Sequence, residues 1–552
     1  MLQRVVGQSL GFIGLAALGA LGACGSEPAA PCGAGASLPA AVPVTAQVSL
    51  APGEFTLITD SAASGAVVFP AAGARGATYL VVGQLATDIA GNCSTFALGG
   101  QAAGLDLRAA PAGHVTTAMR FHDLLREREH LLAGLAALHR DGLRAAAPVR
   151  TPPPATGSRR SFKVCANISC GQLRSVGATA LWVGGHAAIF VDDSVPAGGF
   201  NQADLTEIGN QFDQVIYPID TDRFGAESDI DGNARVIVLL THRINELVPV
   251  PGCSTSFITG FFFGADLTPG LSTQYNNGEI FYGMVPDPAG SATRCAYSRA
   301  FVKRILPTTF IHEFQHMISY NQHVLLRGGP DEVLWLNEAM SHLAEELGGL
   351  HYDSLGVDST AQRYHLGNLF NAYIWMRDPQ NNAMVTETSP GSLEERGAEW
   401  LFLRHVVDQF GPATTRALTQ TSLTGAPNLA AATSNTPFRA LLGRWAMAVY
   451  LSGLPGFAPP AALAYRTWDF RASFALLHSQ HPQEFPVADP LQPDSGVAGA
   501  ISVTGTLQAG SAAYVITTQP PTAAGFELVF RGPHGGGIAT VGVPQLAVIR
   551  IR

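Results

Sequence analysis

From Thr45 to about Leu107 short apolar runs, Ala46 to Leu50, Phe55 to Ile58, Ala66 to Phe69 and Tyr79 to Val82, alternate with Gly and Pro turns. Short strands separated by turn residues predict a small all-β sandwich. Between about Met119 and Leu143 the period changes. Leu124, Leu125, Leu131, Leu132, Leu135 and Leu138 recur among Arg126, Glu127, Arg128 and Glu129 at helical spacing, which predicts one amphipathic helix. Pro148, Pro152, Pro153 and Pro154, with Gly157, Ser158, Arg159 and Arg160, read as an exposed linker. From Arg160 onward strands and helices mix, with strand-like Ala178 to Val183, Ala187 to Val191 and Arg235 to Leu240 and a helical stretch near Leu205 to Val215. After about Gly496 the all-β pattern returns in Ala500 to Thr504, Ala513 to Thr517, Phe526 to Phe530 and Gln545 to Ile551. The expected organisation is a β-domain at 45–107, a helix and linker at 108–159, an α+β body at 160–480 and a second β-domain at 496–552. No fixed-period repeat is visible, although the two end domains could share a fold.

The first residues carry another pattern. Arg4 is followed by nineteen uncharged residues, Val5 to Ala23, ending in Leu21-Gly22-Ala23-Cys24. This resembles the lipobox of a bacterial lipoprotein, and an uncleaved amino-terminal anchor is the other reading. The resemblance implies removal of residues 1–23, lipidation of Cys24, a tether at 24–44, and export to the outer membrane or cell surface. Without Cys24, six cysteines remain: Cys32, Cys93, Cys165, Cys170, Cys253 and Cys295. An even number in an exported chain predicts disulfides, and Cys165 with Cys170, Cys253 with Cys295 and Cys32 with Cys93 are the pairings that stay local. The absence of any C-x-x-C pair argues against a cysteine metal site.

Composition narrows the function classes. The 552 residues are 47% hydrophobic and 14% charged, enough apolar material for two to four packed domains and too much for wholesale disorder. With 33 basic against 42 acidic residues, and Lys163 and Lys303 the only lysines, no basic surface suits a nucleic acid.

The candidate chemistry lies in Ile311-His312-Glu313-Phe314-Gln315-His316, which contains H-E-x-x-H. That spacing puts two imidazoles one helical turn apart, so both can bind one Zn²⁺. Phe310, Ile311, Phe314, Met317 and Ile318 fall on one arc of the helix, with His312 and His316 nearly opposite. A catalytic zinc takes three protein ligands and keeps a place for water. Glu338 is the candidate third ligand, 22 residues after His316, with Gly328, Gly329 and Pro330 between them to turn the chain back. It lies on a helix whose buried face is Leu336, Met340, Leu343 and Leu347 and whose polar face is Glu338, Ser341, His342 and Glu345.

Here the chain resembles the gluzincin metallopeptidases, and more closely the hyicolysin-type family. His312 to Ile318 reads HEFQHMI and Trp335 to Glu338 reads WLNE. Further similarity comes from Phe224-Gly225, from Ser228 to Asn233 and from the helix Gly397 to Phe410, so the resemblance spans about residues 160–455. It implies a thermolysin-like, two-lobed catalytic domain within the α+β class, with His312, His316 and Glu338 as zinc ligands and Glu313 as catalytic base. It also implies that Asn277 to Met284 is the strand at the edge of the cleft, where an extended substrate pairs by backbone hydrogen bonds. The thermolysin-like pattern has Asp four residues after the glutamate ligand. This chain has His342 there, and Glu345, on the same helix face, is the alternative carboxylate for orienting a zinc histidine.

The physical chemistry of these residues agrees with the implied roles. Zinc lowers the pKa of bound water to about 7, and a glutamate beside the site can take the proton and pass it to the leaving amine. The expected function is zinc-dependent endopeptidase action on extended protein or peptide substrates, through a metal-activated water with a glutamate base. The alternative is a catalytically silent surface adhesion or binding lipoprotein on the same scaffold; an intact base beside an open metal position favours the enzyme. Tyr364, His365 and Tyr373 are the downstream candidates for stabilising the oxyanion. Glu227 to Asn233 alternates carboxylates like a calcium loop but has Val238 where the twelfth-position Glu belongs. A hydrogen-bonded turn is the simpler reading there, with Ca²⁺ as the other. The helix at 119–143 with the linker at 146–160 reads as a structural connector or as a removable inhibitory segment.

Overall fold

The computed structural model describes residues 45–59, 65–100, 117–138, 151–268, 275–386, 391–532, 537–538 and 542–552. The expected signal peptide, Cys24, the tether, Cys32 and the first half of the linker lie outside these residues. Among the described residues no helix is long and apolar enough to cross a membrane.

Both ends of the chain build the same β-sandwich. The amino-terminal segment supplies β1 (Ala46–Gln47), β2 (Phe55–Thr59), β3 (Ala66–Phe69), β4 (Ala77–Leu85) and β5 (Cys93–Gly99). The carboxy-terminal segment supplies β12 (Asp494–Val497), β13 (Ser502–Gln508), β14 (Ala512–Gln519), β15 (Phe526–Arg531) and β16 (Pro544–Arg550). One sheet runs β1-β3-β15-β5-β13 and the other β12-β14-β4-β16-β2. The expected pair of separate β-domains is therefore corrected to one domain. Its cause is visible in β4, which is buried along both faces. Tyr79, Val81 and Leu85 enter the core between the sheets with Phe96, Leu98, Val503, Phe530, Leu546 and Val548. Leu80 and Val82, on the opposite face, join the core of the body. A central strand of this kind needs hydrogen-bonding partners on both edges, and β14 and β16 provide them.

The body contains a sheet of order β10-β11-β9-β8-β7-β6. Its strands are β6 (Arg159–Cys165), β7 (Leu173–Val183), β8 (Ala187–Asp192), β9 (Val236–Leu240), β10 (Gly260–Phe262) and β11 (Ile280–Gly283). β9, Val-Ile-Val-Leu-Leu, is wholly buried and runs parallel to both neighbours, as a continuous apolar strand covered on both faces should. The Cys165–Cys170 disulfide closes the turn from β6 to β7, and Cys253–Cys295 links the segments before β10 and after β11. Cys93 is disulfide-bonded as well.

Against this sheet lies the motif helix, Arg299–Tyr320, capped by Ser298, whose Oγ accepts from the Phe301 N–H at 3.2 Å. Phe310 packs on Phe281 of β11 and Phe314 on Phe212. After it the chain turns through Gly328, at φ +63°, into the glutamate helix, Leu334–Ser354. The helices Asp358–Arg377 and Leu393–Phe410 follow. They approach so closely that a Cβ on Gly397 would lie 2.2 Å from the Asn371 carbonyl oxygen, which leaves room for glycine alone. The helix Phe438–Leu451 joins body to sandwich: the Tyr514 hydroxyl of β14 donates to the Ala446 carbonyl at 3.0 Å.

Candidate metal centre

His312 and His316 face the glutamate helix from successive turns of the motif helix, and their Nε2 atoms lie 3.2 Å apart. Glu338 closes the triangle. Its Oε2 is 3.5 Å from His312 Nε2 and its Oε1 3.4 Å from His316 Nε2. Ligand atoms about 2.0–2.1 Å from a tetrahedral ion stand roughly 3.3 Å from one another, so the three side chains fit a zinc ion. The surroundings support that fit. Both Glu338 oxygens are buried and accept no hydrogen bond among the described residues, and Arg396 pairs with Oε2 alone, an arrangement that a further cation between the donors would satisfy.

The far side of each imidazole is occupied. Glu345 Oε1 lies 2.7 Å from His312 Nδ1 and Asn337 Oδ1 lies 3.1 Å from His316 Nδ1. These contacts aim both Nε2 atoms at the same point. The structure thus puts Glu345 behind a candidate zinc histidine. His342 contacts that carboxylate instead, with Nδ1 3.3 Å from Glu345 Oε1 and its ring 5.0 Å from that of His312. Ser341 ties the two helices directly, its Oγ donating to Gln315 Oε1 at 2.6 Å.

Two contributors escape a reading by pattern. Asn337 is an ordinary polar helix residue whose one signal is its place before Glu338. Arg396, on the helix Leu393–Phe410, puts Nη1 3.3 Å from Glu338 Oε2, a contact made only by the packing of that helix onto the glutamate helix.

The electrostatics follow from burial and these partners. Burial opposes protonation of His312, but Glu338 and Glu345 outweigh it and lift the imidazole to about 10. His316 moves the other way, to about 3, through burial and then the Arg126 charge. Burial resists ionisation of Glu338, yet Arg396 and the two imidazoles hold it well below the usual carboxylate range. Glu345 likewise falls to about 2 despite burial, through His342 and His312. Glu338 and Glu345 are thus held ionised around the two imidazoles. Burial raises Glu313, against the opposing pull of His312, Arg126 and the Phe262 N–H.

Glu313 is the motif residue that points away from the triangle's glutamate helix and toward the sheet. Its Oε2 accepts from the Phe262 N–H of β10 at 2.8 Å. β10 is the edge strand on this side, which corrects the expectation for Asn277 to Met284. β11, in that stretch, pairs on one side with β10 and on the other with β9. β10 escapes notice because it is only Gly-Phe-Phe. A Cβ on Gly260 would lie 2.5 Å from the Tyr282 carbonyl oxygen, so glycine permits the close pairing with β11.

The remaining candidates are engaged elsewhere. The Tyr364 hydroxyl accepts from Gln211 Nε2 at 2.9 Å, His365 Nε2 lies 2.9 Å from Asp353 Oδ2, and the Tyr373 hydroxyl accepts from the Val487 N–H at 2.8 Å. Asp229, Asp231 and Glu279 cluster within 4.8 Å, but Ser228, Ile230, Asn233 and Ala234 close the loop by hydrogen bonds. Val238, at the twelfth loop position, is buried in β9 and offers no ligand. The geometry thus follows the hydrogen-bonded turn, and the calcium reading gains no support.

No family model matches the chain. A stretch of 146 residues, 25% of the chain, is 30% identical to the neutral metalloprotease ShpI of Staphylococcus hyicus and covers 30% of that protein. The chain thus matches less than a third of that relative's length. Among solved structures, an M1 zinc metallopeptidase from Deinococcus radiodurans aligns over 52% of this chain and 46% of its own, at 14% identity and a TM-score of 0.23. Similarity to a metallopeptidase is therefore carried by the sequence match, and the two-histidine, one-glutamate centre is described by its own geometry.

Proposed function

We propose that this chain is a zinc-dependent endopeptidase of the hyicolysin type, hydrolysing extended protein or peptide substrates. The observation that carries the proposal is the triangle of His312, His316 and Glu338, with contacts of 3.2–3.5 Å, beside a buried carboxylate that is not part of it. Zinc held by these three residues would supply the Lewis acidity that makes water nucleophilic near neutral pH and polarises the scissile carbonyl.

The chain's own residues do the rest. Glu313 Oε2 is fixed by the Phe262 N–H, so Oε1 is the oxygen free to take the proton from the attacking water and hand it to the departing amine. Burial in this site raises its proton affinity, which suits a group that must both accept and release. Glu345 and Asn337 hold the two imidazoles in orientation, and Arg396 balances the charge of Glu338. β10 is the edge strand of its sheet, and its outer backbone groups, once released from Arg126 and Glu313, offer an extended substrate a strand to pair with, so backbone rather than side-chain contacts supply much of the grip. The lipobox-like Leu21 to Cys24 supports placing this activity on the outer membrane or cell surface, through a lipid on Cys24.

The test is peptide mapping of an unfolded protein incubated with the zinc-loaded chain, intact and after a cut in the exposed stretch before β6, beside Glu313→Gln treated alike. Cleavages present with wild type and missing with the variant are expected. Identical fragments from both would refute the role of Glu313, and zinc binding without hydrolysis by any form would favour a binding protein.

A further inference from the structure

The outer edge of β10, on which the proposed peptidase reading rests, is already occupied by the chain itself. Met284 N–H donates to the Thr259 carbonyl at 2.9 Å, so in this antiparallel register Thr259 and Phe261 face β11 and Phe262 turns both its backbone groups outward. The Phe262 N–H goes to Glu313, and its carbonyl accepts from Arg126 Nη2 at 3.0 Å. Two residues on, the Gly264 N–H donates to Glu129 Oε1 at 2.5 Å. Arg126 and Glu129 stand one turn apart on the helix Thr117–Leu138, paired with each other at 2.7 Å. Arg126 thus takes the outward carbonyl of β10, and Glu129 takes the N–H of Gly264 just beyond the strand.

The same helix reaches the reacting end of the cleft. Phe121 is fully buried and packs edge-on against Phe261 at 4.8 Å. His122 enters beside the base, with Nδ1 3.8 Å from Glu313 Oε1, the oxygen that the proposed mechanism needs free. Arg126 Nη2 lies 3.6 Å from Glu313 Oε2. Outside the cleft, Arg128 Nη1 donates to the Ser169 carbonyl at 3.1 Å and His130 Nδ1 lies 2.8 Å from Asp331 Oδ1.

These contacts are a poor way to build a permanent wall. A buried ion pair gains little stability over apolar residues of similar size, whereas Arg126 and Glu129 satisfy backbone groups at and just beyond the end of the edge strand. We infer that the helix Thr117–Leu138 is an autoinhibitory plug: it competes with extended substrate for β10 and screens Glu313, holding the chain latent. The sandwich determines how the plug leaves. A cut in the exposed stretch just before β6 separates the helix from the body, but β2 to β5 stay paired with the carboxy-terminal strands. Activation by such a cut swings the helix out while its segment stays attached.

The experiment places a site for a sequence-specific protease at Pro152–Thr156 in the full-length, zinc-loaded chain. Hydrolysis of an unfolded protein and binding of a fluorescent peptide hydroxamate, a strand-like probe that chelates zinc, are measured before and after the cut. Arg126→Ala/Glu129→Ala is assayed uncut. Removing the competitor raises the fraction of binding-competent cleft, so both measures should rise roughly tenfold or more after the cut, and in the double variant without it. The two fragments should still co-purify. Hydrolysis and hydroxamate binding that are unchanged by the cut in folded, zinc-loaded protein would overturn the inference, whatever the double variant does. Hydroxamate binding that rises while no form hydrolyses substrate would retain the plug and refute the peptidase reading.

Discussion

The metal centre and the β-sandwich are both closed by contacts between elements, but across very different lengths of chain. Glu345 meets His312 over 33 residues and Asn337 meets His316 over 21. In the sandwich, Gln545 Nε2 donates to Gln84 Oε1 across 461 residues. A site folded from two consecutive helices has its parts in one stretch of sequence, and each helix can be understood alone. The sandwich is complete only when both termini meet, so its stability belongs to the whole chain. Chemistry and closure therefore reside in separate parts of the molecule, and lesions should separate them.

The largest effect is expected at the centre. Glu338→Ala removes a donor and leaves Arg396 buried beside an apolar side chain, so zinc binding and hydrolysis should fall by about 10³-fold or more. Hydrogen exchange of β4 and β14 should stay at its wild-type rate, and rapid exchange there would show that the two regions are not separable. In the sandwich, Phe530→Ala empties a fully buried site and should cost about 3–5 kcal/mol of stability. Zinc affinity measured by competition with a chelator should hardly change. Glu345→Gln weakens the support behind His312, and roughly 10- to 100-fold lower zinc affinity is expected with the sandwich untouched.

Acid should produce the most diagnostic difference. Burial, reinforced by the Arg327 charge at His323 and opposed in part by Asp408 at His405, lowers both imidazoles to about 4. The unfolded chain takes up these protons near pH 6.5, before the folded chain does. Each histidine's own contribution is thus fully present above pH 6.5 and is lost as the pH falls toward 4, by about 1.4 kcal/mol per pH unit, while the buried carboxyls Glu279, Glu332 and Glu395, raised to about 7, act in the opposite direction. Both residues lie in the body, and none of the ten sandwich strands contains a histidine. Tryptophan fluorescence reports the body, where Trp335, Trp375, Trp400 and Trp445 are buried, and denaturant unfolding followed by it should show a smaller loss of stability between pH 6.5 and 4.5 in His323→Gln/His405→Gln than in wild type. The same loss in both would contradict the contribution of the two histidines.

This contrast also explains what the sequence disclosed. His312, Glu313, His316 and Glu338 were legible because helical spacing is a local rule, and Glu345 followed from lying on the same helix face as Glu338. The Cys165–Cys170 and Cys253–Cys295 pairs were legible for a similar reason, each joining neighbouring segments. Strand periodicity identified β4, β14, β15 and β16, but alternation along a strand says nothing of its partner, so the single sandwich read as two. Arg396, Arg126 and His122 were illegible as site residues because nothing in their own helices distinguishes them from solvent-facing charges. They acquire meaning only where helix packing brings them to Glu338 and Glu313.

The most direct test is zinc content by mass spectrometry after exhaustive dialysis, on wild type and on His316→Ala, Glu338→Gln and Glu313→Gln made in the same full-length chain. Wild type and Glu313→Gln should each retain about one zinc per chain, and the other two should retain almost none. Full zinc in Glu338→Gln, or none in wild type, would contradict a centre built from His312, His316 and Glu338.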